Sequence, residues 1–197
     1  MNHEEFSFAF ANQMKVLKTK GCPERVLLEL IGKQHALWQA INPIHRIVPR
    51  PGFYLFMPVI PFGVISETEQ AHWLNGVLSE TIPGVIFQKF QRPAAPYFIT
   101  AVSDGREYIN ARRSDVVDNI EGSGRFPCSD EELFAIRLHG VDSVDQSIEA
   151  LNTRYGAEKK FVPFIVNKGL YKVPTFHWDE QRDVVSPFSS PSIGGLV

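Results

Sequence analysis

Apolar residues recur every three or four positions at the start of the chain. In "EEFSFAFANQMKVLKTKG", Phe6, Phe10, Met14 and Leu17 share one helical face. Glu4 and Glu5 stand near its start, Lys18 and Lys20 near its end, and Gly21 is the stop. Pro23 fits the first turn of a second helix, whose stripe is Val26, Leu27, Leu30 and Ile31. A Pro- and Ile-rich loop, "INPIHRIVPRPG", follows.

The pattern then turns to short apolar runs. Phe53 to Phe62 reads as a buried strand, but Pro58 and Pro61 lack ladder donors, so an edge or bulged position is expected. Ser66 and Glu69 form a capping box ahead of a third helix over "TEQAHWLNGVLSE". "PYFITAV" predicts a strand, and the Asp104-Gly105 turn leads into a second one, "EYINA". Ser114 to Ile120 predicts a short helix. Ser129 and Glu132 make another capping box before "EELFAIRLHG", which Gly140 ends. A further helix is expected over Val144 to Asn152. "FVPFIV" and "LYKVPTFHW" flank "NKG", where Gly169 suits the left-handed position of a three-residue hairpin loop.

Helices and strands mix without strict alternation, which is the α+β pattern. The expected fold is an N-terminal helical pair and a mixed or antiparallel sheet with two hairpins, with helices packed on the sheet. With 197 residues and no repeat or shift of composition, one domain over 1–197 is expected, with an irregular tail over 183–197.

Charge narrows the partners. Twenty basic and twenty-two acidic residues leave a net charge of -2, without the basic excess that phosphate backbones require, so no nucleic acid is expected. The apolar run from Phe53 to Ile65 is too short and too broken by proline for a membrane span. Glu4 and Glu5 stand where a signal peptide has basic residues, which points to the cytoplasm. Cys22 and Cys128 form no CxxC pattern, so both read as reduced thiols. Residues 115–149 hold nine acids against Arg125 and Arg137; this reads as a solvated helical face, with an acidic docking surface as the alternative.

Three polar groupings can carry chemistry. In "TFHWDEQ", His177 and Asp179 share one side of an extended chain, with Phe176 and Trp178 on the other. The carboxylate could orient the imidazole for catalysis, with Ser189, Ser190 or Ser192 as nucleophile, although no G-x-S-x-G elbow is present. The same pair could supply two metal ligands, but no histidine follows His177 to complete the set, and neither metal nor cofactor is expected. Asp104 and Arg106 form a polar turn that Arg154 and Lys168 could join if the hairpins are neighbours, giving a carboxylate- or phosphate-recognising set. "EGSGR", Glu121 to Arg125, has the look of a phosphate-cradling loop but lacks the P-loop Lys and Ser/Thr, and a simple turn is favoured.

The motifs "KTKGCPE", "SDGREYIN", "GRFPCSDEE" and "FVPFIVNKG", in that order, resemble those of a bacterial family classed only as a domain of unknown function. The matching positions include Gln13, Lys20, Gly21, Pro23, Asp104, Gly105, Arg106, Gly124, Arg125, Pro127, Val162, Pro163, Lys168 and Gly169. The family's tryptophan- and histidine-rich end is replaced here by "DEQRDVVSPFSSPSIGG". The resemblance implies a bacterial domain without an assigned activity. The expected function is a binding or protein-interaction module, with self-association as one form of it. The alternative is a small-molecule enzyme, hydrolytic in type, with its site at Asp104/Arg106 and His177/Asp179.

Overall fold

A computed structural model describes residues 1–42, 53–78, 86–103, 105–108, 110–139, 147–155, 161–168, 173–180, 189–191 and 193–196. The elements in chain order begin with α1 (His3–Thr19), α2 (Glu24–Gly32), α3 (Gln34–Ile41), β1 (Phe53–Val59) and α4 (Glu67–Trp73). Then come β2 (Val77–Leu78), β3 (Ile86–Gln88), β4 (Tyr97–Ser103), a 3₁₀ turn (Arg106–Tyr108), α5 (Arg113–Gly122), β5 (Phe126–Pro127) and α6 (Asp130–His139). The chain ends with β6 (Ser147–Glu149), β7 (Thr153–Tyr155), β8 (Phe161–Lys168), β9 (Val173–Glu180), β10 (Ser189–Pro191) and β11 (Ile193–Leu196). The fold is α+β, as the sequence pattern predicts.

Two sheets result. The first has the order β1-β4-β11-β5, all antiparallel, with β1 at an edge where Pro58 and its missing donor are tolerated. In the second, β8 pairs antiparallel with β9 over its whole length, and its other edge is shared by β6 and then β7. β2 runs parallel outside β9, β10 parallel beside β6, and β3 antiparallel beside β7, so this sheet is mixed.

β1 and β4 of the first sheet are buried on both faces, and they accordingly read as continuous apolar runs. Phe56 and Phe98 face the N-terminal helices, where they meet Phe6, Phe10, Leu17, Leu30 and Leu37. Phe6 lies 5.4 Å from Phe56 and Phe10 lies 5.7 Å from Phe98 between ring centroids, within the tilted stacking range. Met57, Val59, Tyr97 and Ile99 face the other way, into a cluster completed by Leu133, Phe134 and Ile136 of α6 and Ile148 and Ile165 of the second sheet. Ala101 breaks the alternation with φ of 52°, so Ile99 and Val102 both enter that inner cluster. The Arg125 guanidinium donates to the Ala101 carbonyl at this irregularity.

Several local expectations hold. Phe6, Phe10, Met14 and Leu17 are all buried. Gly21, with φ of 87°, ends α1: Gly21 N–H bonds Lys18 O, and Cys22 N–H bonds Leu17 O. The Ser66 hydroxyl accepts from Glu69 N–H at 3.3 Å, but α4 is shorter than predicted. Asn75 adopts φ of 51°, the Asn75 and Gly76 N–H groups close the last turn on His72 O and Ala71 O, and Val77–Leu78 leave as a strand.

Other expectations fail for reasons outside the local pattern. Lys33 ends α2 and begins α3, a helix missed because the apolar stripe bends there, and Ile31 is 45% exposed rather than packed. Ser147–Glu149 is strand, not helix, because Ile148 and Glu149 pair with Ile165 and Phe164 of β8. "EYINA" does not return as a strand. Ser103 Oγ accepts from Gly105 N–H and donates to Glu107, curling Arg106–Tyr108 into the 3₁₀ turn, and β11 takes the place beside β4. Gly140, Gly169 and most of the "INPIHRIVPRPG" loop lie outside the described residues.

The caps carry a test. A Cβ at Gly21 meets nothing within 4 Å, so Gly21→Ala is opposed by its left-handed backbone alone, at about 1–2 kcal/mol. Asn75→Gly, at the equivalent place in α4, is expected to be neutral or slightly stabilising. Urea unfolding of both variants measures the difference.

Candidate functional site

The predicted catalytic pair sits on a central strand of the second sheet. His177 takes the register position opposite Phe164, which is itself opposite Glu149; Asp179 is opposite Val162. Phe176 takes the register position opposite Ile165, which is itself opposite Ile148. Ser189 and Ser190 do not approach His177. Both belong to β10, three strands from β9 across β6 and β8, on the order of 14 Å at ordinary strand spacing. Ser192 lies outside the described residues.

The proposed ligand set is spread along the sheet. Lys168 pairs with Val173 at one end of β8, whereas Arg154 precedes Tyr155, which pairs with Phe161 at the other end. The intervening strand spans roughly 20 Å. Arg106 opens the 3₁₀ turn, and Asp104 lies outside the described residues. The "EGSGR" loop is a helix cap. Gly124 N–H bonds Glu121 O, Arg125 N–H bonds Ile120 O and Ser123 N–H bonds Asn119 O, so the amides needed to cradle a phosphate are engaged in closing α5.

The acids of residues 115–149 are not all on a wet face. Asp130, Glu132 and Glu149 are buried. Glu132 completes the predicted capping box: its Oε2 accepts from Ser129 N–H at 2.7 Å, and Ser129 Oγ accepts from Glu132 N–H at 3.4 Å. Its carboxylate also accepts from Arg92 Nε at 2.8 Å, from Arg92 Nη2 at 3.3 Å and from Tyr97 OH at 3.0 Å. Thr153 exchanges hydrogen bonds with Asp130, and Arg113 holds Glu149 bidentately at 2.9 and 2.8 Å.

Two further carboxyls stand beside this group. Glu131 Oε1 accepts from Phe62 N–H at 2.8 Å. Burial pushes Glu131 up to about 7 against that hydrogen bond, with Asp130 and Glu132 adding to the rise and Arg92 opposing it. Glu67, at the start of α4, is likewise pushed up to about 7 by burial and then by Asp130. Both carboxyls are thus shifted toward gaining or losing their proton near neutral pH. Neither lines either of two cavities found among the described residues. One, of about 10 Å³ beside Gln70, Trp73 and Phe134, has room for little more than a water molecule.

The other is an open groove of about 360 Å³ on the N-terminal helices, lined chiefly by His3, Phe6, Ile31, Gln34, His35 and Trp38. Trp38 packs edge-on against His3 at 5.1 Å and tilted against Phe6 at 5.2 Å. The bend at Lys33 turns His35 and Trp38 toward α1. The Gln39 side-chain amide lies 2.9 Å from His35 Nε2, within hydrogen-bonding distance. Chemically the groove offers the half-buried Trp38 ring, an aliphatic rim at Ile31 and a lining that is otherwise more polar than apolar, including His3, Gln34 and His35. Sequence reasoning missed it because α3 was not recognised; the His35/Trp38 spacing of three residues is the signal that a helix there makes legible.

Among the described residues, no group of three His, Cys, Asp or Glu is arranged to hold a metal ion, and no helix is long and apolar enough to cross a membrane. Comparison with known protein families, curated proteins and solved structures finds no match to this chain.

Two outcomes are expected of the acid cluster. Glu132→Leu leaves Arg92 buried without its partner and costs about 3–5 kcal/mol in chemical unfolding. Glu67 and Glu131 have folded values raised from about 4.5 to about 7, so the folded state binds more protons than the unfolded one between those values. Their contribution to stability is full below about pH 4.5 and is lost as pH rises through about 7. Glu131→Gln, which keeps an acceptor for Phe62, flattens that decline relative to wild type; unfolding titrations from pH 5 to 8 read the difference directly.

Proposed function

We propose that the chain is a binding module that docks an apolar or aromatic side chain of a protein or peptide partner in the groove between α1 and α2–α3. The observation that carries this is the aromatic groove flanked by apolar residues left outside: Leu28 is 60% and Ile31 45% exposed on α2. Concave sites of a few hundred Å³ with aromatic walls and a few polar groups suit such a side chain. Tryptophan is also the residue type that interfaces favour as an anchor. The near-neutral charge of -2 supports a protein-like partner over nucleic acid. Cytoplasmic location and membership of the bacterial family named above belong to the same proposal, the family membership supported by the order of the short motifs.

The hydrolytic alternative has one observation in its favour, the pair of carboxyls Glu67 and Glu131 that titrate near neutrality. It is the weaker reading. Those carboxyls lie apart from the groove, and the candidate serines of β10 are distant from His177.

N-acetyl-tryptophanamide and N-acetyl-phenylalaninamide at millimolar concentration test the groove by chemical-shift mapping. Shifts confined to the start of α1, the end of α2 and α3, and abolished by Trp38→Ala, are expected. No perturbation there, or an undiminished response in Trp38→Ala, removes the groove as the binding site.

A further inference from the structure

Helix α1 has a second ordered face. Its core side is Phe6, Phe10, Met14 and Leu17, yet Phe8, about half a turn away, is 71% exposed. Glu4, Ala11 and Lys15 are exposed on the same side. Positions 4, 8, 11 and 15 are spaced by four, three and four residues, which is the 3.5-residue seam along which two helices pack. This seam lies away from the His3/Phe6 flank that lines the groove.

We infer that this face is a two-fold contact with a second copy of the chain, in which two α1 helices pack antiparallel. The charge order selects that occupant and that direction. Antiparallel pairing sets Glu4 against the partner's Lys15 and Phe8 over the partner's Ala11, and the two-fold axis repeats both contacts. Parallel pairing instead sets Glu4 on Glu4, Phe8 on Phe8 and Lys15 on Lys15, with like charges facing at both ends. Ala11 leaves the room that a phenyl ring needs, so a large residue meets a small one twice. Antiparallel helices also place the acidic first turn, Glu4 and Glu5, beside the partner's basic last turn at Lys18.

A seam of about three helical turns is short, so the association is weak and is read over a range of concentrations. Sedimentation equilibrium of the full chain is expected to show a monomer–dimer system. Phe8→Glu raises the dissociation constant at least about tenfold, because two apolar contacts are lost at once. Glu4→Lys or Lys15→Glu alone weakens the dimer, and the two together restore it, since each reversed charge regains an opposite partner. All of these positions are exposed, and unchanged circular dichroism confirms that the variants fold. A wild-type chain that stays monomeric at the highest concentration overturns the inference. So does association that Phe8→Glu leaves intact, or a double charge reversal that fails to recover it. Because Trp38→Ala leaves this seam untouched, failure of the groove and failure of the dimer are separate results.

Discussion

The carboxylate of Glu132 gathers the interior of this protein. It sits in the first turn of α6, where the helix dipole and the Ser129 N–H favour a negative charge, and it is 1% exposed. A charge so deeply buried is tolerable only if its lone pairs are met. Here they are met by Ser129 N–H, by Arg92 through two nitrogens and by Tyr97 OH. Those partners come from three directions: the α6 cap, the segment before β4, and β4 itself. Arg92 Nη2 also reaches Pro127 O at 2.8 Å, which fixes β5 to the same point. One carboxylate thereby registers the first sheet against α6. Burial opposes the charge of Arg92, but Glu132 outweighs that and holds the guanidinium above its ordinary value.

Similar stitching holds the chain where strands end. Asn152 is fully buried at the corner between β6 and β7. Its side chain accepts from Phe90 N–H and donates to Phe90 O, while its backbone bonds Cys128 O and Lys89 N–H. Gln70 donates to Ile60 O at 2.8 Å and Ile65 O at 2.9 Å, pinning the turn between β1 and α4. In each case a side-chain amide satisfies backbone groups that no ladder reaches, which is what lets irregular chain pass through an apolar interior. The apolar layers supply the driving force, and these few polar groups decide the registry.

What was legible in the sequence was what neighbours in sequence decide. Phe6 to Leu17, the Gly21 stop, the Ser66 cap on Glu69 N–H and the full Ser129–Glu132 capping box depend on contacts within about four residues, and all appear in the structure. Ser147–Glu149 was read as helix because its strand character comes from β8, more than ten residues away. The missing second strand after Asp104 has the same cause, since β11 from the far end of the chain occupies that edge. Glu132 was visible as a cap, but its partners Arg92 and Tyr97 are 40 and 35 residues distant, and nothing in "QRPAAPYF" marks a buried ion pair. The groove was hidden behind one wrong boundary, the bend at Lys33.

The division of labour between inner and outer layers bears on function. Carboxylates with shifted ionisation are often the mark of catalysis, yet here Glu131 ties residue 62 to α6, and Glu67 is buried at the start of α4 within reach of the Asp130 charge. Burial is the largest cause of the rise at both carboxyls, so their ionisation is better understood as a consequence of packing. The N-terminal helices show the opposite economy. Their inward stripe already suffices to cover the first sheet, and Phe8, Leu28 and Ile31 add nothing to that core. Apolar side chains that remain exposed weaken solubility without strengthening the fold, and the arrangement becomes physically reasonable when their faces meet other molecules.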